Sequence, residues 1–214
     1  MPRLTHAWIP RDTGRYFWFH ASLLLWNATY GHAYPAVRYW WRIEPDVLFA
    51  GSWSYLLAIA SRDTADLLLP QYTRWADHPN YPHWEWNAPI LAGVPRSEWV
   101  YSLVSIGRYS MRFMRVMASK WAAGVAGYEE ILLPLSCTPR SNCTRSSFSR
   151  LHAAGWRKSR VNAAFRYRPE WSCDSFLRAA ASHSGELWHP VKTRACWARY
   201  LDSCTAAGCS QVVK

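Results

Sequence analysis

The sequence lacks several features that would assign it to a well-defined class. It has no run of 18 or more apolar residues, so we predict no membrane-spanning helix. It has only 10 glycines in 214 residues and no short repeat, which excludes collagen-like and low-complexity chains. Charged residues make up only 18% and apolar residues 50%, a balance that argues against intrinsic disorder. The length predicts one folded domain, with at most an appendage.

Several catalytic motifs are also missing. The chain contains no G-x-G-x-x-G, G-x-x-x-x-G-K-[ST], G-x-S-x-G or H-E-x-x-H. Dinucleotide oxidoreductases, P-loop NTPases, α/β-hydrolases and zincin proteases therefore lose their usual sequence support. The amino-terminal region lacks the basic, apolar and small-residue order of a signal peptide, so we expect any secretory targeting segment to lie outside this chain.

Aromatic residues and positive charge are abundant instead. There are 15 Trp, 12 Tyr and 7 Phe, a composition typical of cores and of proteins that stack rings on sugars. Residues 1–136 carry 12 Lys and Arg against 10 Asp and Glu, whereas residues 137–214 carry 13 against 4. We therefore predict an organised domain over 1–136 and a basic, cysteine-containing tail of uncertain order over 137–214.

All six cysteines lie in the predicted tail. Their spacings, C-x5-C and C-x4-C among them, do not match the C-x2-C pairs of a zinc ribbon. Disulfides in an oxidising compartment are the favoured interpretation, with a structural zinc site and free thiols as alternatives. Six cysteines allow 15 pairings, so the connectivity is left open. Two glycosylation sequons, at Asn27 and Asn142, fit a lumenal protein.

Periodicity predicts alternating helices and strands, and hence an α/β fold. A helix over 109–123 is the clearest element, because apolar and basic residues fall on separate faces. The other expected elements are a helix at 15–33, a strand at 37–43, a short helix after 51–52, strands at 65–69 and 99–106, an irregular functional loop at 71–95, and a new element from 128.

Two pairs of carboxylates are candidates for chemistry. Glu44 and Asp46 follow the 37–43 strand in a Glu-Pro-Asp turn, where carboxylates either bind Mg²⁺ or Mn²⁺ or simply face water. Glu129 and Glu130 follow a glycine-containing break at 124–127 and begin an apolar run. One of them is a candidate general base, and capping of a helix amino terminus is the alternative.

Aromatic and basic residues supply candidate binding groups. His83, Trp84, Glu85 and Trp86 lie in the irregular loop and are candidate sugar-binding residues, or residues that pin the loop by packing. Arg108, together with Arg112, Arg115 and Lys120, forms a basic face that either meets phosphates or is simply solvated. The aromatic, arginine-rich tail has an RNA-binding composition but no RNA-binding motif, so no specific nucleic acid partner is predicted, and nucleic-acid binding through the tail is kept as a further alternative function.

The order of these segments resembles a known family. Residues 39–49 resemble the strand and acidic turn of GT-A-type glycosyltransferases. Their sequence is most similar to the Tyr-Trp-Arg-Val-Glu-Pro run of the fungal-type α-mannosyltransferases. The following Trp-rich loop, the Arg-Tyr-Ser at 108–110 and the Gly-Tyr-Glu-Glu run at 127–134 are similar to GT-A-like proteins of plants, algae and bacteria. The resemblance covers residues 15–137.

The resemblance implies a GT-A-like, Rossmann-like mixed sheet flanked by helices and shortened at the amino terminus, since only 43 residues precede Glu44. It implies transfer of a hexose from a nucleotide sugar to a glycan or glycoprotein hydroxyl, in the Golgi or ER lumen if a targeting segment outside this chain directs it there. Asp46 and Glu44 would hold Mn²⁺ or Mg²⁺, and Glu129 or Glu130 would be the base. The usual Asp-x-Asp is Glu-Pro-Asp here, so a non-catalytic glycan-binding module or an inactive remnant remains the alternative.

Overall fold

The structure is a computed structural model. It describes residues 14–154, 164–166, 168–182, 185–192 and 194–206. Within these ranges, it does not describe the side chains of residues 14–20, 32, 86, 152–154, 182, 194 and 203–206. Among the described residues, no helix combines the length and the apolar character needed to cross a membrane.

The described chain is a mixed α/β protein, as the alternation of sequence patterns predicts. Its α-helices are α1 (Gly14–Tyr30), α2 (Trp53–Ala60), α3 (His83–Trp86), α4 (Ala88–Leu91), α5 (Met111–Ala122), α6 (Glu129–Ser136), α7 (Cys173–Ser182) and α8 (Arg194–Ala206). Its strands are β1 (Tyr39–Ile43), β2 (Leu48–Ala50), β3 (Leu67–Leu69), β4 (Thr73–Arg74), β5 (Val100–Tyr101), β6 (Ile106–Ser110), β7 (Arg145–Ser147) and β8 (Glu186–Trp188).

The strands form three sheets. Four of them make a sheet in the order β1-β6-β3-β7, in which β3 and β6 are antiparallel with Leu67 opposite Tyr109. The strands β4 and β5 form an antiparallel pair, as do β2 and β8. The chain divides into two compact units that are not continuous in sequence. The first unit comprises the described parts of Met1–Arg42 and Ala65–Ser146, and the second those of Ile43–Thr64 and Ser147–Lys214.

The first unit has its core between the four-stranded sheet and the helices α5 and α6. Helix α5 begins after Ser110, whose hydroxyl accepts a hydrogen bond from the Phe113 N–H at 3.0 Å, because an N-cap side chain satisfies a backbone donor of the first turn. On its apolar face Met114 and Met117 are buried, together with Phe113, and Met111, Val116 and Trp121 are partly buried. The buried core residues are Leu67, Leu69, Val104, Tyr109, Phe113, Met114, Met117, Leu132, Leu133, Cys137 and Cys143.

The second unit forms its core around the β2–β8 pair. In this pair Leu48 lies opposite Trp188 and Ala50 opposite Glu186. Helices α7 and α8 pack on it, and a disulfide between Cys173 and Cys196 joins them. The buried residues of this core are Leu48, Ala50, Ala164, Phe176, Ala180, Trp188, Val191, Cys196 and Tyr200.

Cysteines of the predicted tail form disulfides, so the expected disulfide bonding is confirmed for four of the six. Cys137 pairs with Cys143, and Cys173 with Cys196. The side chain of Cys204 and the whole of Cys209 lie outside the described residues. Described parts of residues 147–206 are ordered into helices and a strand, and they share a core with residues 43–64. The tail therefore contributes to a folded unit.

Two predicted elements differ from the structure. The expected strand over 99–106 is instead the two-residue β5 followed by β6, which begins at Ile106. Arg108 accordingly lies in β6, whereas the predicted basic face placed it on the helix of Arg112. The expected irregular loop over 71–95 contains β4 and the short helices α3 and α4. The pairing of β6 with β3, and of β4 with β5, joins residues that are distant along the chain, and local periodicity does not report such pairing.

Candidate metal centre

The Glu-Pro-Asp turn lies in the second unit, between β1 and β2. The Val47 N–H donates to the carbonyl of Glu44 at 3.0 Å, which closes the turn predicted from the sequence. The side chains of Glu44 and Asp46 are 25% and 23% exposed. They are therefore partly sheltered, yet a ligand from solvent can still reach them.

A buried histidine, His189, faces the two carboxylates. Because β2 and β8 are antiparallel with Leu48 opposite Trp188, the residues that precede β2 lie beside those that follow β8. The Val191 N–H donates to the carbonyl of Asp46 at 2.9 Å and fixes this arrangement. The His189 Nε2 atom lies 3.7 Å from Glu44 Oε2 and 3.8 Å from Asp46 Oδ1.

The other ring nitrogen of His189 determines its tautomer. His189 Nδ1 lies 2.7 Å from the backbone carbonyl of Arg166. A carbonyl only accepts hydrogen bonds, so Nδ1 carries the proton that it donates. In the neutral ring, the Nε2 lone pair is then directed toward the two carboxylates. Metal-binding histidines usually donate their second ring N–H to a carbonyl in this way, which fixes the ring orientation.

The backbone around His189 is held as firmly as its ring. Its N–H donates to the carbonyl of Ala164 at 3.2 Å, and its own carbonyl accepts from the Arg166 N–H at 3.1 Å. The side chain is 7% exposed. The ring is therefore fixed both by its own hydrogen bond and by the backbone that carries it.

The donor set of Glu44, Asp46 and His189 fits a divalent metal ion. One ligand atom from each of the three lies within 4.8 Å of the others. Carboxylate oxygens suit Mg²⁺ and Mn²⁺, and an imidazole nitrogen shifts the preference toward transition metals such as Mn²⁺ or Zn²⁺. The sequence identified both carboxylates and missed His189, since no local motif connects it to residues so distant along the chain.

The other predicted carboxylate pair lies in the first unit, at the start of α6. Glu129 is 4% and Glu130 7% exposed. The Arg42 guanidinium donates to Glu129 at 2.8 and 3.5 Å, and the Tyr81 hydroxyl donates to Glu130. Burial, and then the charge of Glu130, raise the pKa of Tyr81 far above its ordinary range. Both carboxylates are therefore buried and hydrogen-bonded.

The four predicted sugar-binding residues make up α3 in the first unit, and those whose side chains are described differ in how deeply they are buried. Trp84 is 5% exposed, and its indole N–H donates to the carbonyl of His78 at 3.1 Å. Glu85 is exposed. His83 is partly buried against Tyr81, and burial lowers its pKa. The side chain of Trp86 lies outside the described residues.

Trp84 and Arg108 both act as core residues. The ring of Trp84 packs against Trp99 and Tyr101 with centroids 5.7 Å apart in each case. Arg108 is 1% exposed, and its guanidinium lies over the Tyr39 ring at 4.1 Å and donates to the carbonyl of Ala65 at 3.0 Å. Neither side chain presents a free face to a sugar or a phosphate in this structure.

The first unit also contains a cavity of about 430 Å³ beside α5 and α6. Its walls are mostly apolar, and Ile90, Val125 and Leu132 are among them. Lys120 and Ser136 supply polar groups. None of the site residues predicted from the sequence lines this cavity.

Comparisons of this chain with protein-family models, with curated proteins and with solved structures found no match.

Proposed function

We propose that the protein binds a divalent transition-metal ion, Mn²⁺ foremost, through Glu44, Asp46 and His189, and that this site binds the diphosphate of a nucleotide sugar. The orientation of His189 carries the proposal. Its Nδ1 proton is committed to the Arg166 carbonyl, so that Nε2 lies 3.7 and 3.8 Å from the two carboxylates. The resemblance to GT-A-type glycosyltransferases extends the proposal to transfer of a hexose onto a glycan or glycoprotein hydroxyl.

The three side chains have different tasks in this proposal. Glu44 and Asp46 supply negative charge at a position that solvent reaches, and the sheltered His189 supplies a neutral donor of fixed direction. When bound, a divalent cation supplies positive charge that neutralises a departing nucleoside diphosphate. We assign Glu129 and Glu130 to the stability of the first unit, because a buried, hydrogen-bonded carboxylate is poorly placed to accept a proton from an acceptor hydroxyl.

The experiment is a calorimetric titration of metal-free protein with Mn²⁺, followed by UDP or GDP in the presence and absence of Mn²⁺. We expect saturable Mn²⁺ binding and nucleotide binding that requires it. Asp46→Asn, Glu44→Gln and His189→Gln should each weaken Mn²⁺ binding at least about tenfold. Asp174→Asn is the matched control, because Asp174 is an exposed acid of the same unit that pairs with Arg199.

The outcomes separate the parts of the proposal. Failure of folded wild-type protein to bind Mn²⁺ overturns the metal centre. Mn²⁺ binding without metal-dependent binding of UDP or GDP retains the metal centre and overturns the nucleotide-sugar function.

Glycan binding without catalysis is a second candidate, and an exposed aromatic surface favours it. Trp26, Tyr30 and Tyr34 of the first unit are 36%, 55% and 53% exposed, and Trp26 packs edge-on to Trp40 at 4.4 Å. Exposed rings of this kind stack on sugars. This function predicts oligosaccharide binding that is independent of Mn²⁺ and is lost in Trp26→Ala, whereas Asp46→Asn leaves it unchanged.

A further inference from the structure

Trp171 contacts the chain on both sides of His189. Its backbone N–H donates to the carbonyl of Pro190 at 2.9 Å. Its indole N–H donates to the carbonyl of Ala164, also at 2.9 Å. The same Ala164 oxygen accepts the backbone N–H of His189 at 3.2 Å. Trp171 therefore connects Pro190, which follows His189 in the chain, with Ala164, whose carbonyl accepts the backbone N–H of His189.

The ring of Trp171 fixes two further neighbours of His189. It packs edge-to-face on Trp188 with centroids 4.7 Å apart. The Arg166 guanidinium also lies over the Trp171 ring, 4.0 Å from its centroid. Arg166 is the residue whose carbonyl accepts the Nδ1 proton of His189. One indole thus contacts both Trp188, which precedes His189, and Arg166, which holds the imidazole ring.

Trp171 is itself anchored at the start of α7. The next residue, Ser172, accepts hydrogen bonds from the Ser175 N–H at its hydroxyl, 3.3 Å, and from the Phe176 N–H at its carbonyl, 2.9 Å. The first residue of the helix, Cys173, is joined to Cys196 of α8 by a disulfide. The indole is therefore held by a helix that is covalently tied to a second helix.

We propose that Trp171 is a positioning residue of the metal centre. By holding Pro190, Ala164 and Arg166 in place, it keeps Nε2 of His189 directed at Glu44 and Asp46 without touching the metal itself. The inference rests on the proposed metal binding by these three residues. Outer groups that orient a metal-binding histidine typically change metal affinity about 10- to 100-fold when they are removed.

The test is Trp171→Phe, measured by titration of metal-free protein with Co²⁺ and, separately, with Mn²⁺. Phenylalanine keeps a ring against Trp188 and Arg166 and loses the indole N–H bond to Ala164. We expect affinity about 10- to 100-fold weaker than in the wild type, together with altered visible absorption bands of bound Co²⁺. The bands report ligand geometry, which a purely structural role of Trp171 would leave unchanged.

Trp197→Phe is the matched control, since Trp197 belongs to the same core but has its ring contact with Tyr200. It should bind Co²⁺ with wild-type affinity and bands. Equal affinity and bands in the two variants, each shown to be folded by circular dichroism, overturn the positioning role while leaving the metal centre intact. Failure of the wild type to bind Co²⁺ or Mn²⁺ overturns both. If Trp171→Phe does not fold, Trp171→Tyr, which also lacks the indole donor, replaces it in the same titrations and is judged by the same outcomes.

Discussion

Arg42 and Glu129 form an ion pair of 2.8 Å inside the first unit, with side chains only 11% and 6% exposed. The pair joins the end of β1 to the start of α6. A buried charge that loses its partner remains in a poorly polarisable environment, so breaking such a pair costs much more than the intact pair contributes. This relationship makes the pair a sensitive test of the proposal that Glu129 is structural.

We expect Arg42→Met to lower the free energy of unfolding by about 3–5 kcal/mol at neutral pH, because it removes the guanidinium that pairs with the buried Glu129 carboxylate. The double variant Arg42→Met, Glu129→Gln should recover most of this loss. Urea denaturation measures both. Arg140→Met is the control, since Arg140 pairs with Glu98 at the surface. Equal losses in Arg42→Met and Arg140→Met would show that the buried pair matters no more to stability than the surface pair does.

The carboxylate of Asp66 connects three parts of the first unit. One oxygen accepts the Ser110 hydroxyl at 2.7 Å, and the other accepts the Thr144 N–H and hydroxyl at 3.0 and 3.1 Å. Burial by itself raises the pKa of Asp66, but these hydrogen bonds outweigh it, and the pKa lies below its ordinary value. The ionised form is therefore the one that stabilises the fold.

It follows that the contribution of Asp66 is present at neutral pH and is lost as the pH falls through about 4 and below, toward its lowered pKa. We expect Asp66→Asn to cost about 1–3 kcal/mol at pH 7, and the difference from wild type to shrink in acid. Chemical denaturation between pH 7 and 2.5 checks this. Asp77→Asn, at an exposed pair with Arg74, should have little effect at any pH. A pH-independent deficit in Asp66→Asn would contradict the assignment.

Tyr81 has the opposite pH dependence. Its hydroxyl donates to Glu130 and its ring stacks on Tyr101 at 3.9 Å. Because burial and the Glu130 charge raise its pKa, the protonated hydroxyl is favoured in the folded state. The resulting stability is fully present below the ordinary tyrosine pKa of about 10 and is lost as the pH rises above it.

We therefore expect Tyr81→Phe to be less stable than wild type by about 1–3 kcal/mol at pH 7, with a gap that narrows above about pH 10. Guanidinium denaturation at pH 7, 9, 10.5 and 11.5 provides the measurement. Tyr30→Phe, at a tyrosine 55% exposed, is the control and should follow the wild type throughout. A gap that stays constant across this range would show that folding does not raise the pKa of Tyr81.

The sequence predicts elements well where local signals determine them. Helix α5 begins and ends within two residues of its expected limits, because its apolar period and the Ser110 cap are both local. The strand expected over 99–106 differs because β6 is placed by its pairing with β3. Likewise Trp84 lies in a segment whose composition favours ligand binding, yet burial against Trp99 makes it a core residue.

The candidate site divides in the same way. Glu44 and Asp46 are two residues apart in a turn, so the sequence identifies them together as a candidate metal pair. His189 joins them only through the β2–β8 register, which depends on side chains from both ends of the chain. Trp171 is one step further removed, since it acts on His189 through backbone carbonyls that no side-chain pattern reveals.

The pairing of Leu48 with Trp188 also has a consequence during synthesis on the ribosome. At about 5–20 residues per second, the partner strand follows β2 by roughly 7–28 s. For that time the apolar strand Leu48-Phe49-Ala50 lacks β8 as its partner, while the first unit, whose segments lie before and after β2 in the sequence, is completed at Ser146. On the nascent chain, β2 therefore waits for its partner strand until the last third of the sequence emerges.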